Sequence, residues 1–449
     1  MKMGIRFNRE LAKVILNLSY PIMAGMVSRT LLTFMDTLMV GSLGAVAISS
    51  VGLGGTAVWI MISLFFSLGT GTQIMVSRKC GEKKYEDCGN VLNNVILFSV
   101  ISASIFILLC FFKSNGVFGF FVEDPLVFEK GISYAKIRVF EILSFAIISV
   151  IAGFFNGIGI TRIQMYVMLV VNIMNIFLNY ILIFGKFGFP RLEVKGAALA
   201  STLSTYLGAI IIILISLRKK YLRKYLYFKN VNFNRSIITA LLKLSYPNAL
   251  KNFFVLTGYL VFLKFIGIIG TIELAASNIC LNITSISWMP AVGIGVATTT
   301  LIGQMLGSRN GDLAEKYAWE SIKISFVIMG TIGIFFIIFP QSIIGIFTTD
   351  SKIIEKGVIV LRILGLVQFF DAFGIILSSS LEGAGKTFFV GFSEISFVWF
   401  VFIPLSYILG VYLNYGIGGS WLSFIVYLLG FDIMLFVNFK KGNWKSFKI

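Results

Sequence analysis

The chain has no histidine, and only 13% of its 449 residues are charged. Without imidazole there is no histidine general base and no histidine-ligated metal. Its four cysteines, Cys80, Cys88, Cys110 and Cys280, have neither the spacing of a zinc site nor the density of a disulfide framework. Acidic residues number 20 against 38 basic ones, and no two carboxylates stand at helical spacing inside an apolar run. That argues against a membrane-embedded enzyme. No phosphate-loop motif is present, so an ion gradient rather than ATP is the expected energy source. The first residues lack a short apolar core followed by a small-residue cleavage site, so no removable signal peptide is expected.

What is present is oil. The chain is 57% hydrophobic with a mean hydropathy of +0.92, more apolar surface than a soluble core buries. Apolar runs of about 20 residues, the length that crosses roughly 30 Å of hydrocarbon as helix, recur from end to end. They fall at about 11–40, 46–76, 91–112, 133–155, 163–184, 196–217, 237–263, 274–305, 318–340, 357–380, 388–411 and 417–439. The alternating strands of a barrel are absent. The net charge of +18 would suggest nucleic acid in a soluble protein, but here it is distributed by side. With the amino terminus placed inside, 24 basic residues lie in inner segments and eight in outer loops. The positive-inside rule then puts both termini in the cytoplasm, and no nucleic-acid partner is expected.

Sliding the sequence over itself by 226 residues aligns Ser19-Tyr20-Pro21 with Ser245-Tyr246-Pro247, Gly41 with Gly267, Gly81 with Gly307, and Glu129-Lys130-Gly131 with Glu355-Lys356-Gly357. So many coincidences at one offset imply two equivalent halves of six helices. An even number per half makes them parallel repeats about an axis along the membrane normal. The expected organisation is an amino-terminal lobe, 1–217, a basic cytoplasmic linker, 218–236, a carboxy-terminal lobe, 237–439, and a basic tail, 440–449. The linker, rich in tyrosine and lysine, is expected to lie on anionic lipid headgroups. Pro21 and Pro247, at matched positions in the first and seventh spans, each remove a backbone hydrogen bond, and Pro21 is a candidate hinge.

The halves differ where chemistry is expected. Asp36 falls opposite Phe262, and Asp371 opposite Phe145. A carboxylate within an apolar span costs about 3 kcal/mol even on lenient insertion scales, so something must compensate it. In the fifth span Asn172, Asn175 and Asn179 share one helix face. Asp36 lies five residues before Gly41 and Asn179 six before Gly185, so both sit about 7 to 9 Å below the outer end at 1.5 Å per residue and can touch. A carboxylate with carboxamide oxygens suits Na+, and equally a proton, since a carboxylate removed from water holds one more readily. The asparagines can instead serve interhelical hydrogen bonding. Glu141, Lys251, Glu394 and Asp432 are further ionisable groups within spans, while Arg138 and Arg362, close to outer ends, are expected to snorkel.

Taken together, Phe34-Met35-Asp36-Thr37-Leu38-Met39-Val40-Gly41, Asn156-Gly157-Ile158-Gly159, Asn175 with Asn179, Gly196-Ala197-Ala198-Leu199-Ala200, Met289-Pro290-Ala291-Val292-Gly293 and Leu381-Glu382-Gly383-Ala384-Gly385 resemble the multidrug and toxic compound extrusion (MATE) family over essentially the whole chain. The resemblance implies an all-α polytopic membrane protein of twelve transmembrane helices in two pseudo-symmetric six-helix lobes, V-shaped. It also implies Asp36, Asn175 and Asn179 as an amino-lobe cation or substrate site, and Asp371 as an acidic residue used in the tenth span of some members. The sequence departs from the family pattern at Val255, where one branch has an acidic residue, at Asn179, where another has a second aspartate, and at Glu382, where arginine is common.

The function expected is a secondary antiporter of the cell membrane, exporting cationic amphiphilic organic compounds by alternating access in exchange for Na+ or H+. No cofactor is expected beyond that coupling ion; small organic cations and membrane lipids are the expected partners, and the chain is expected to act as a monomer. The alternative is a flippase of a related fold moving lipid-linked oligosaccharides, which would want a strongly cationic cavity. The few mid-span basic residues, Arg29 and Lys251, make that less attractive.

Overall fold

The computed structural model describes residues 7–119, 125–228 and 233–447, and among these every regular element is helical. Parts of the expected basic segments, including Lys2, Arg6, Lys229 and Lys448, lie outside the described residues. The helices are α1 (Arg9–Gly41), α2 (Ala45–Gly81), α3 (Tyr85–Gly119), α4 (Pro125–Arg138), α5 (Glu141–Gly157), α6 (Arg162–Phe184), α7 (Glu193–Ser216), the short α8 (Lys219–Tyr225), α9 (Arg235–Ile269), α10 (Thr271–Gly307), α11 (Gly311–Ile338), the short α12 (Pro340–Gly345), α13 (Ser351–Gly383), α14 (Thr387–Phe397), α15 (Ile403–Tyr407) and α16 (Gly416–Lys440). Among the described residues eleven spans are long and apolar enough to cross a membrane, and twelve when α4 and α5, bent by 44° at their junction, count as one.

Two spans are less regular than their apolar runs suggest. The fourth breaks between Arg138 and Glu141. The eleventh continues from α14 to Tyr412 with two wide turns, Val398–Phe402 and Ile408–Tyr412, on either side of Pro404. Proline removes a ladder hydrogen bond and its ring crowds the preceding turn, and a widened turn absorbs both effects.

By packing, the chain divides into one unit of Ala24–Ala249 and another of Met1–Met23 with Leu250–Ile449. These boundaries fall inside α1 and α9, a few residues past Pro21 and Pro247, rather than in the linker. The first turns of α1 are held in the second of these units by Asn8, whose backbone N–H donates to Glu320 at 2.9 Å, and by Ile15, fully buried in its core. The first turns of α9 place Leu241 and Leu244 in the core of the other unit.

Repeat symmetry extends to individual contacts. A Cβ on Gly41 would meet Ile48 and one on Gly267 would meet Leu274, its counterpart; a Cβ on Gly157 would stand 2.9 Å from the Gln73 carbonyl and one on Gly383 2.7 Å from that of Thr299, again counterparts. Gly157 and Gly383, which look like loop punctuation in the sequence, are therefore helix-crossing points, where only hydrogen lets two backbones approach. Part of the linker is also held by protein contacts. Tyr225 and Tyr227 are buried, the Tyr227 hydroxyl donates to the Ser216 carbonyl, and Asn93 Oδ1 accepts from the Phe228 N–H at 2.9 Å. Lys219, Lys220, Arg223 and Lys224 stay exposed.

Gly153→Val tests the crossing, because a Cβ on Gly153 would stand 2.2 Å from the Gly69 carbonyl. Overpacking there is expected to cost about 1–3 kcal/mol, read as a lower thermal midpoint of the detergent-purified chain. Gly52→Ala, with nothing within 4 Å of its new Cβ, is the control and should not lower the midpoint.

Candidate functional site

Within Ala24–Ala249, α1 and α6 run parallel and meet through side chains at two levels. At one, Asn172 Nδ2 donates to Ser28 Oγ at 2.7 Å. Seven residues further along α6, Asn179 Nδ2 donates to Asp36 Oδ1 at 2.5 Å and to Asn175 Oδ1 at 2.8 Å. Asn175 Nδ2 reaches Ser201 and Ser204 of α7 at 3.2 and 3.3 Å. The Asn175 amide also satisfies its surroundings when turned the other way, its nitrogen donating to Asp36 Oδ1 at 2.9 Å and its oxygen accepting from Ser201. The asparagines are 5%, 2% and 1% exposed in chain order, while Asp36 is half-buried. The structure thus brings Asp36, Asn175 and Asn179 together and sets Asn172 about two turns away.

Two features fit this cluster to a small cation. No basic side chain among the described residues lies within ion-pair distance of Asp36 (all such pairs run between other residues), so its charge is not already spent. Asn179 Oδ1 is buried without a hydrogen-bond partner. A carboxylate beside an orphaned carboxamide oxygen offers the hard oxygen donors that Na+ takes, and the carboxylate alone serves a proton.

A second polar layer surrounds the break between α4 and α5. The Arg138 guanidinium donates to Glu141 and, at 2.7 Å, to the Tyr134 hydroxyl. Glu141 also accepts from Thr205 Oγ1 at 3.1 Å. Arg138 therefore does not snorkel. A cation at the carboxyl end of α4 and an anion at the amino end of α5 each suit the local helix dipole, which makes the break a natural seat for the pair. Both charges act electrostatically on Asp36 and on Arg29 of α1.

In the other unit Asp371 of α13 is buried and accepts from Trp288 Nε1 at 3.1 Å. Sequence reading set Asp432 aside as one of several ionisable groups. It is buried on α16 with both carboxylate oxygens unpartnered, lies against Gly374, one turn from Asp371, and feels the charge of Asp371. A glycine three residues past an intramembrane aspartate was the available signal. Lys251 Nζ binds Glu382 at 2.8 Å and lies 3.8 Å from Glu394, which gives Glu382 its physical reason.

Apolar spans that enclose buried, hydrogen-bonded ionisable groups define a multi-pass membrane protein. The MatE family model matches residues 21–181 and 247–408, two segments that begin at the paired prolines. A "Probable multidrug resistance protein NorM" of Photorhabdus laumondii is 31% identical over 96% of this chain and 96% of its own. A protein of the same name from Thermotoga maritima is 29% identical over 97% and 94%. A solved multidrug resistance MATE transporter in an outward-facing conformation shares the fold with a TM-score of 0.91, at 23% identity, covering 98% of this chain and 97% of that one. The chain belongs to the MATE family.

The Arg138–Glu141 pair, with side chains 18% and 9% exposed, yields a stability test. Glu141→Ala strands a guanidinium and is expected to cost about 3–5 kcal/mol. Adding Arg138→Ala should recover part of that in thermal unfolding of the purified protein; a double variant less stable than the single one would contradict the pairing.

Proposed function

We propose that the chain is a cation-coupled multidrug efflux antiporter that exports cationic amphiphilic organic compounds in exchange for Na+ or H+. The observation that carries this reading is Asp36, an unpaired carboxylate held by Asn179 at 2.5 Å inside an apolar span. The names of its relatives, probable multidrug resistance proteins, support drug export. In this mechanism an organic cation and the coupling ion compete for one carboxylate. Each weakens the other's binding by the same factor, because coupling is reciprocal. A proton or Na+ on Asp36 removes the charge that holds the drug. Pro21, inside α1, supplies the bend that carries Asp36 towards or away from α6, and two six-helix lobes, 1–217 and 237–439, provide alternating access. The excess of basic residues in inner segments supports a cytoplasmic location for both termini, in the cell membrane.

The flippase reading is weaker on one observation. A cavity for pyrophosphate needs several free cations, and of the two mid-span basic residues Lys251 is committed to Glu382 and Glu394, which leaves Arg29 alone.

Asp36→Asn keeps the hydrogen bonding and removes the charge. In a pump-deficient cell it is expected to reduce ethidium efflux at least about tenfold, the effect of losing one charge-assisted contact. Undiminished efflux would take Asp36 out of the mechanism. Counterflow in proteoliposomes with sodium and pH gradients imposed independently identifies the coupling ion, and uptake indifferent to both would overturn ion coupling.

A further inference from the structure

The transport mechanism above makes no use of the linker's charges. Helix α8 carries Lys219, Lys220, Arg223 and Lys224 and is preceded by Arg218, and all of them are exposed. No acidic side chain among the described residues stands within ion-pair distance of any of them; the nearby acids Glu82 and Asp87 pair with Lys79 and Lys84 instead. The opposite face of α8 is anchored in protein. Tyr221 packs edge-on against Phe155 at 5.1 Å and Tyr225 against Phe154 at 5.3 Å, and a Cβ on Gly89 of α3 would overlap the Tyr225 carbonyl. With its aromatic side held in this way, α8 keeps its basic side outward. Lys220 lies over the ring of Tyr221 at 5.8 Å and Lys224 over that of Tyr85 at 4.5 Å, contacts that orient an ammonium without consuming its hydrogen-bond donors.

The other half of the repeat contains a compensated version of this position. The counterpart of Lys219 is Lys445, which Asp312 holds at 2.9 Å and Glu315 at 2.6 Å. The counterpart of Glu315 is Gly89, so the matching place on α3 has no carboxylate and Lys219 is left unpaired. Depth and flanks indicate what the free charges meet. The 24 residues of α7 span about 36 Å at 1.5 Å per residue, more than the roughly 30 Å of hydrocarbon. Since α8 begins three residues after Ser216, it lies at the level of lipid phosphates. Leu217, Leu226 and Phe228 on either side of it are exposed, apolar groups that a bilayer boundary accepts and that a soluble polyanion would leave in water.

We propose that the basic face of α8 is a docking surface for anionic phospholipid of the inner leaflet, and that it prefers a lipid carrying two phosphates. This rests on the placement of the linker at the cytoplasmic side. Lys219 and Arg223 stand one helical turn apart, as do Lys220 and Lys224, so each pair closes on one phosphate through charge-assisted hydrogen bonds. A lipid with two phosphates satisfies both pairs at once. Just beyond α8, the N–H groups of Phe228 and Asn234 are received by Asn93 and Asn94 at 2.9 and 2.6 Å. The lipid therefore meets a fixed array of charges, held from both sides, rather than a loose basic loop.

The test is titration of the detergent-purified full-length chain with diphosphatidylglycerol, phosphatidylcholine or inorganic polyphosphate, read by native mass spectrometry. Wild type is expected to bind the two-phosphate lipid at least about tenfold more tightly than the zwitterionic one, since each cation at an anionic surface contributes about fivefold. Combining Lys219→Gln, Lys220→Gln, Arg223→Gln and Lys224→Gln leaves the aromatic anchors in place and should abolish that preference. Combining Lys13→Gln, Lys316→Gln, Lys440→Gln and Lys441→Gln removes as many exposed cations from the other unit and should preserve it. Equal binding of the two lipids by wild type, which needs no variant to fold, would overturn the proposal. So would an equal loss in both variants, which would make the preference a matter of net charge, or polyphosphate binding as tightly as the anionic lipid, which would make the partner a soluble polyanion. No transport step enters the readout, so a failure of ion-coupled efflux leaves the lipid preference standing, and a missing preference leaves the antiporter reading intact.

Discussion

A carboxylate in hydrocarbon has to be given hydrogen bonds without being given a cation, or it ceases to be available. Asp36 meets that constraint through Asn179, which donates to the carboxylate and to Asn175, itself seated on Ser201 and Ser204 of α7. The contacts link the α7 hydroxyls to the carboxylate with no net charge along them. A lysine in place of Asn179 would compensate Asp36 more strongly and would leave nothing for a ligand to do. The asparagine stripe is therefore more than interhelical packing: it holds the acid in position while keeping its charge unspent.

The architecture was legible from the sequence because hydrocarbon allows few solutions: runs of about 20 apolar residues must be helices, and one offset aligned the halves. Contact between Asp36 and Asn179 was legible for a related reason, since helix rise converts residue count into depth. Interruptions within spans were not. The break at Arg138–Glu141 and the widened turns around Pro404 leave hydropathy unchanged, and only the ion pair or the proline behind each explains it. Arg138 was read as snorkelling because depth alone suggested it, whereas a carboxylate three residues away on the next helix start was the better guide. Asp432 was underweighted because a glycine one turn past Asp371 is a weak signal until the packing of α16 on α13 shows that Gly374 makes room for it.

Where the two halves differ, the differences are organised. Phe262, the counterpart of Asp36, is fully buried against Phe402 and Trp421 at ring distances of 4.8 and 4.9 Å. The counterparts of Asn172, Asn175 and Asn179 are Val398, Val401 and Leu405. The same helix pair is thus joined by polar side chains in one unit and closed by aromatic packing in the other. The acid of the carboxy-terminal unit sits instead on α13, at the position that Phe145 fills in the amino-terminal one. Duplication supplied two identical scaffolds, and the polar chemistry was placed on different helices of each.

The same logic explains the ion cluster of Lys251, Glu382 and Glu394. Their counterparts are Gly25, Asn156 and Met168. A Cβ on Gly25 would stand 3.7 Å from the Cα of Met165 and 3.8 Å from the Cβ of Met168, and Asn156 Nδ2 donates to Gln164 at 2.7 Å. The first span of a repeat therefore makes a close apolar contact in one half, and in the other a long-armed ionic one to the fourth and fifth spans. An apolar contact resists separation but tolerates sliding, because dispersion has little directional preference. A buried pair at 2.8 Å does not slide, since a small displacement forfeits the hydrogen bond while the desolvation of both charges persists. Lys251 lies next to Leu250, where α9 passes from one packing unit to the other, so the directional contact fixes α9 just beyond Pro247. The α1 segment just beyond Pro21 makes the apolar contact at Gly25 and is next fixed to α6 at Ser28, whose hydroxyl accepts from Asn172 at 2.7 Å.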